Sequence, residues 1–367
     1  MPEPLKYVYS AAFFEQFIAT LKQVFPLFKK EEFLNKFFDD EWKSKELKQR
    51  MRHIASSLKD HMPGSYKENV TCIISIIKQL QRNGVKSGFE YMFLPDFIEQ
   101  YGLNDLHTSL RAMETITQFT SCEFAVRPFL LNHRNAVMNQ MLKWSMHPHH
   151  AVRRFSSEGS RPRLPWAMAI PQLKKDPSFI LPILENLKKD PSLFVRKSVA
   201  NNLNDIAKDH PDIVIQIAKK WKGENAETDW IIRHGCRTLL KKADKNIYKL
   251  FGLDAAVNCS VTELKLSRSE LKIGEQLGFS FSLKNTNSQA NKLRIEYAIY
   301  YTKANGKQSK KLFKLAENNY EPGKNYLFKR QQRFADLTTR KHYAGKHKVA
   351  ITVNGQELAT KEFILVK

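Results

Sequence analysis

Residues 190–211 read DPSLFVRKSVANNLNDIAKDHP, and the triplet Val195-Arg196-Lys197 within them has counterparts on both sides. Val152-Arg153-Arg154 lies 43 residues upstream and Ile232-Arg233-His234 lies 37 residues downstream. Each copy follows a polar turn and sits in a helical pattern. A period near 40 residues marks HEAT-like repeats, whose helices stack unit upon unit. Prolines fall where helices should begin, at Pro148, Pro177, Pro191 and Pro211, since the first helical turn has no use for the missing N–H. Apolar residues at three- and four-residue spacing carry the helical reading through Glu32–Phe38, Val70–Leu80 and Ile206–Trp221. Residues 1–252 are therefore expected to form an all-α HEAT-like repeat solenoid.

After Phe251-Gly252 the texture changes. Glu275–Lys284 (EQLGFSFSLK) and Lys292–Thr302 (KLRIEYAIYYT) contain alternating apolar positions. Lys348–Lys367 reads as a hairpin turning at Asn354-Gly355, a strong short-range turn signal. Several strands in residues 256–367 predict a C-terminal all-β sandwich, with no cysteine pair to supply an immunoglobulin disulfide.

Charge narrows the class of partner. The 367 residues hold 60 Lys and Arg against 37 Asp and Glu, a net of +23. Residues 256–367 alone carry +12, more than twice the charge density of the first 255. Both parts are rich in apolar residues, so the excess belongs to folded surface, which attracts a polyanion by counterion release. A nucleic acid is the expected partner, with solubility or another anionic surface as the alternative. No run approaches the ~18 apolar residues of a membrane span, so no membrane is expected. The N-terminus lacks the pattern of a signal peptide. The four cysteines are scattered, which fits a reducing compartment and excludes the usual cysteine zinc sites. A cytoplasmic, monomeric protein with a polyanionic partner is the expectation.

The densest chemistry lies in residues 144–166, WSMHPHHAVRRFSSEGSRPRLPW. Arg153, Arg154, Arg161 and Arg163 suit phosphate contacts, because a guanidinium fork holds two oxygens at once. Glu158 stands alone among them, either ordering the arginines or facing a cationic centre near the DNA backbone. Asp205 is a second candidate carboxylate. Asn201, Asn202 and Asn204 precede it, and polar residues so dense on a helix suggest either a concave ligand face or a solvated surface. Glu123 is a third, and Arg127 four residues on allows an ordinary helical ion pair. His147, His149 and His150 lack metal-ligand spacing, so no metal is expected. No phosphate-binding glycine loop and no nucleophilic serine elbow is present, so no cofactor is expected.

Together, SCEFAVRPFL (residues 121–130), the segment from Trp144 through HPHHAVRRFSSEGSRPRLPWA and VRKSVANNLNDIAKDHP resemble the AlkC branch of the AlkC/AlkD alkylpurine DNA glycosylases. RIEYAIYYTKANGK (residues 294–307) resembles the immunoglobulin-like domain appended in one subgroup. The resemblance implies a monofunctional DNA glycosylase that removes cationic N3-alkylated bases, 3-methyladenine and 3-methylcytosine, from duplex DNA without flipping them, and so initiates base excision repair. It implies Glu158, Asp205 and Glu123 as the carboxylates facing the lesion, Trp166 packed at it, and Arg154, Arg161 and Arg163 holding the backbone, with Arg153 and Arg196 as further DNA contacts. The +12 charge of residues 256–367 suggests in addition that the β domain closes over the DNA. The alternative is a non-catalytic, structure-specific DNA-binding HEAT-repeat protein.

Overall fold

Ser65 and Glu68 show how local chemistry starts a helix here. The Ser65 N–H and hydroxyl both donate to Glu68 Oε2, at 2.5 and 2.8 Å, a reciprocal cap that satisfies amides with no helical partner. Downstream, Val70, Ile73, Ile76, Ile77 and Leu80 form the buried stripe that the sequence spacing predicts. The computed structural model describes residues 3–62, 64–253, 258–337 and 340–367. Its first eight α-helices are α1 (Ala11–Val24), α2 (Lys30–Phe37), α3 (Leu47–His61), α4 (Tyr66–Arg82), α5 (Phe93–Tyr101), α6 (Leu106–Ile116), α7 (Val126–Asn132) and α8 (Arg134–Trp144). The remaining eight are α9 (His150–Gly159), α10 (Pro171–Lys175), α11 (Leu181–Leu187), α12 (Leu193–Ile206), α13 (Pro211–Trp221), α14 (Ala226–Gly235), α15 (Arg237–Lys241) and α16 (Lys245–Leu250).

The three triplets fall on α9, α12 and α14, and α12 packs against both of the others. Val152, Val195 and Ile232 are all buried. The arginine that follows the valine has a shared task. Arg153 Nη1 donates to the carbonyls of His147 and Pro148, at 2.9 and 2.7 Å. Arg196 Nη1 donates to the carbonyls of Asp190 and Pro191, at 2.8 and 2.9 Å. Each arginine thus closes the turn ahead of its own helix. Asp190 joins the two units, because its carboxylate also receives Arg153 Nε at 2.5 Å.

The prolines differ from expectation in detail. Of these four, only Pro211 opens a helix at its first position. Pro148, Pro177 and Pro191 lie upstream of α9, α11 and α12. At Asp176-Pro177-Ser178 and Asp190-Pro191-Ser192 the aspartate instead accepts the serine N–H, at 2.9 Å in both, and builds a turn. Ile206–Trp221 is correspondingly two helices, since Pro211 drives His210 out of helical geometry, to φ −131° and ψ 67°.

The strands are β1 (Cys259–Leu266), β2 (Glu270–Lys272), β3 (Gln276–Asn285), β4 (Asn291–Thr302), β5 (Gln308–Tyr320), β6 (Asn325–Arg333), β7 (Gly345–Val353) and β8 (Gln356–Val366). They form a three-stranded sheet, β1-β3-β6, and a five-stranded sheet, β2-β8-β7-β4-β5. All pairs are antiparallel except β2 with β8. Leu277, Phe279, Phe281 and Leu283 alternate inward along β3 and meet Leu293, Ile295, Tyr297 and Ile299 of β4 in a single core. The β7–β8 turn places Asn354 at φ 42° and Gly355 at φ 84°, the left-handed pair expected of Asn-Gly. Gly355 is required twice over, since a Cβ there would come within 2.4 Å of Ala243 Cβ.

The chain divides into two compact units, 1–235 and 236–367. The division lies upstream of the change in sequence texture because α15 and α16 belong with the strands. Tyr248 of α16 is buried, and Lys292 of β4 donates to the Phe251 carbonyl at 2.9 Å.

Candidate active site

One row of alternating charge crosses the helical unit. It begins at Glu123, in the turn before α7. Arg154 of α9 donates through Nη1 to the Glu123 carboxylate and, at 2.7 Å, to Ser121 Oγ, which itself donates to Glu123 at 2.7 Å. Arg154 Nη2 lies 3.6 Å from Glu158 Oε1, one helical turn along. Arg161 Nη1 donates to that same oxygen at 2.7 Å, and Arg161 Nε donates to Asp205 Oδ2 of α12 at 2.9 Å. Lys208 Nζ closes the row on Asp205 Oδ1 at 3.0 Å. The three carboxylates read from the sequence are thus gathered by Arg154 and Arg161.

Glu123 does not pair with Arg127. A four-residue spacing brings side chains together only on a helix, and Glu123 lies in a turn, so it reaches across to α9 instead.

Burial sets the energetics of the row. Asp205 is only 1% exposed, while Glu158 and Arg161 are nearly as covered. Such charges persist only when paired, and removing one partner of a buried pair costs about 3–5 kcal/mol. Burial opposes the charge on Arg161, but Glu158 and Asp205 outweigh it and hold its pKa above the ordinary arginine value. Arg163 stands apart at the rim. Its fork grips Asp209 with bonds of 3.0 and 2.6 Å, which depresses the Asp209 pKa and raises that of Arg163.

Trp166 is placed differently from every other tryptophan. It is 67% exposed, and its φ is +64°, a conformation bulky residues adopt only when their surroundings force it. Its carbonyl accepts Lys48 Nζ at 2.8 Å. An exposed large aromatic on strained backbone, next to buried charge, suits contact with a ligand. A cleft of about 490 Å³ adjoins the Glu123 end of the row, lined by Phe89, Ser121, Glu123, His149, Arg154 and Phe194. The Arg154 guanidinium sits 4.7 Å from the Phe194 ring centre.

Several side chains are taken up by structure. Arg153 and Arg196 are the turn staples described above. Asn202 does not line a ligand face, because it is fully buried and donates to the Ser157 carbonyl at 2.8 Å, pinning α12 on α9. His147 and His149 accept the amides of His149 and Ala151, at 3.0 and 3.3 Å, and cap the start of α9. Arg127, read from the sequence only as a partner for Glu123, proves central. It is fully buried, donating to the carbonyls of Gly159, Arg161 and Met168. A signal existed, since Arg127 interrupts the otherwise apolar run Ala125–Leu131. Lys208 carried no signal among so many lysines.

Comparison with known proteins identifies the family. A family model described as DNA alkylation repair enzyme matches residues 96–239. A second, described as the C-terminal Ig-like domain of uncharacterised protein YhaZ, matches residues 260–367. The chain is 43% identical over 359 residues to "Uncharacterized protein YhaZ" of Bacillus subtilis (strain 168), covering 98% of each. It is also similar to the solved structure of Pseudomonas fluorescens alkylpurine DNA glycosylase AlkC bound to DNA containing an abasic site analog. That match has a TM-score of 0.94 and 36% identity, over 100% of both chains.

Proposed function

The chain belongs to the AlkC-type alkylpurine DNA glycosylases, and from that premise we propose that it hydrolyses the N-glycosidic bond of cationic N3-alkylated bases in duplex DNA. The bases are 3-methyladenine and 3-methylcytosine, and the product is an abasic site. The observation that carries the reading is the pairing of buried Glu158 and Asp205 through Arg161, in the same segment as exposed, strained Trp166.

The chemistry needs little more. Alkylation at N3 leaves the base cationic and already a good leaving group. As the bond from the sugar C1′ to the base nitrogen stretches, its electron pair passes to the base and neutralises it. Positive charge moves to the sugar, where a fixed carboxylate is worth more in the transition state than in the ground state. The second carboxylate accepts the proton of the water that bonds to C1′. Trp166 meets the cationic base or its sugar with its ring face, a contact of about 1–2 kcal/mol. No deep apolar pocket is required, which fits a base attacked without being flipped out.

Both Asp205 oxygens are engaged, by Arg161 and by Lys208. Lys208 is the looser partner, with a side chain 40% exposed. A DNA phosphate draws Lys208 away and frees Oδ1 for the sugar. Arg163 exchanges Asp209 for phosphate in the same way, and Arg154 and Arg161 lie nearest the lesion strand. The +12 charge of residues 256–367 adds affinity, and its loss flattens the salt dependence of binding.

Release of free base from duplex DNA carrying 3-methyladenine or 3-methylcytosine tests the reading. Release should leave strands that break only on alkali treatment. Strand cleavage without alkali would contradict monofunctional hydrolysis, and tight duplex binding without release would favour the non-catalytic alternative.

A further inference from the structure

We infer that Arg127 is a positioning residue for base release: its buried guanidinium ties down the segment carrying Arg161, Arg163 and Trp166, and it supplies fixed positive charge behind the carboxylate row. Buried arginines ordinarily pair with a carboxylate. Among the described residues, none lies within 4 Å of Arg127 in an ion pair. Its bonds go instead to main-chain carbonyls at both ends of one segment. Nη1 donates to Gly159 and Arg161, at 3.2 and 2.9 Å, and Nε donates to Met168 at 2.5 Å. One side chain therefore staples the ends of the 159–168 segment, within which Trp166 holds its left-handed φ.

The charge matters as well as the fork. Glu123 faces this region from the turn before α7, Arg154 and Glu158 from α9, Arg161 from the segment itself, and Asp205 and Lys208 from α12. Burial lowers the Arg127 pKa to about 10, with Arg161 acting in the same direction, while Asp205, Glu123 and Glu158 act against it. The group remains a cation at neutral pH, and a fixed cation favours the ionised form of carboxylates around it. A staple alone would affect stability and the placement of Trp166, but not the pH profile. A staple that also sets the charge balance alters the pH profile.

The inference rests on the glycosylase reading, so the test includes a readout that does not need catalysis. Full-length wild type, Arg127→Lys and Arg127→Met are compared by thermal unfolding, by single-turnover base release from 3-methyladenine duplex across pH, and by acrylamide quenching of the fluorescence lost in Trp166→Phe. For Arg127→Met, release per folded molecule should fall about 100-fold. Its acidic limb should move up by about one pH unit, and Trp166 should become more quenchable. For Arg127→Lys the limb should stay near wild type, but release should fall about 10-fold, because an ammonium cannot span three carbonyls in a fixed plane. Should the methionine variant not fold, the lysine variant decides through rate and quenching. Wild-type rate, limb and quenching in the folded variants would overturn the inference, as would losses that merely track the folded fraction. If the wild type releases no base, the glycosylase reading fails alone, and quenching still shows whether Arg127 positions Trp166.

Discussion

Two buried arginines in this molecule each hold two carboxylates, one in each unit. In the helical unit Arg161 joins Glu158 to Asp205. In the β unit Arg294 joins Glu296 to Glu317, at 2.6 and 3.1 Å. All six side chains are nearly sealed from solvent. The settings differ. Arg294 and Glu296 share β4 and Glu317 pairs with Arg294 across the ladder, so continuous sheet fixes the geometry. Asn354 at the β7–β8 turn and Tyr248 of α16 complete the surroundings. Arg161 instead lies beyond the end of α9, reaches to a helix of the next repeat, and leads into a segment that ends at an exposed, strained tryptophan. A buried ion-pair cluster is thus no mark of function by itself. Each cluster also has a partly exposed lysine on one carboxylate, Lys208 on Asp205 and Lys314 on Glu317. What distinguishes the helical cluster is its placement between repeats, in the same segment as the exposed Trp166.

The largest difference should appear on neutralising one carboxylate in each cluster. Asp205→Asn or Glu158→Gln should reduce base release by about 10²–10³-fold. Glu296→Gln should leave release per folded molecule unchanged, yet cost about 3–5 kcal/mol in denaturant unfolding. Equal loss of release in both would erase the distinction. Next in size is Arg196→Met, which leaves two turn carbonyls without their donor and should cost about 2 kcal/mol of stability. Its salt dependence of DNA binding should match the wild type, whereas a phosphate contact would lower that slope by about one. Trp166→Ala should slow release roughly 10-fold with no loss of thermal stability, in keeping with one cation–π contact. The smallest effect lies in the β unit. Burial, with Glu296 nearby, pushes the Tyr248 phenol up to about 12, against about 10 in an unfolded chain. The stability this gives is full below about pH 10 and fades as pH rises to about 12, because the unfolded chain ionises first. Tyr248→Phe should flatten that alkaline decline in urea titrations.

Sequence revealed most where one local rule decides the outcome. The Val-Arg triplets mark the repeat because each arginine must close its own turn, and Asn354-Gly355 marks the hairpin because few pairs tolerate two positive φ angles. The carboxylates were legible as odd acidic residues among arginines. Their partners were not. Glu123 lies in a turn, so spacing pointed to Arg127 when the real partner is Arg154 on another element. Arg153 and Arg196 read as DNA contacts, although the Nη1 of each is taken by two turn carbonyls and the fork of Arg153 by Asp190. Trp166 carries no glycine to signal its left-handed backbone, which arises from the 159–168 segment as a whole. The short helices α15 and α16 precede the change in texture, and only their packing assigns them to the β unit.

The most direct test sets wild type, Asp205→Asn and Glu296→Gln side by side on duplex DNA containing 3-methyladenine, measuring free base per folded molecule. Wild type and Glu296→Gln should release base at similar rates, while Asp205→Asn falls by at least about 100-fold. Release by Asp205→Asn at the wild-type rate, or none from a wild type that binds the duplex, would contradict an active site built on the Glu158–Arg161–Asp205 cluster.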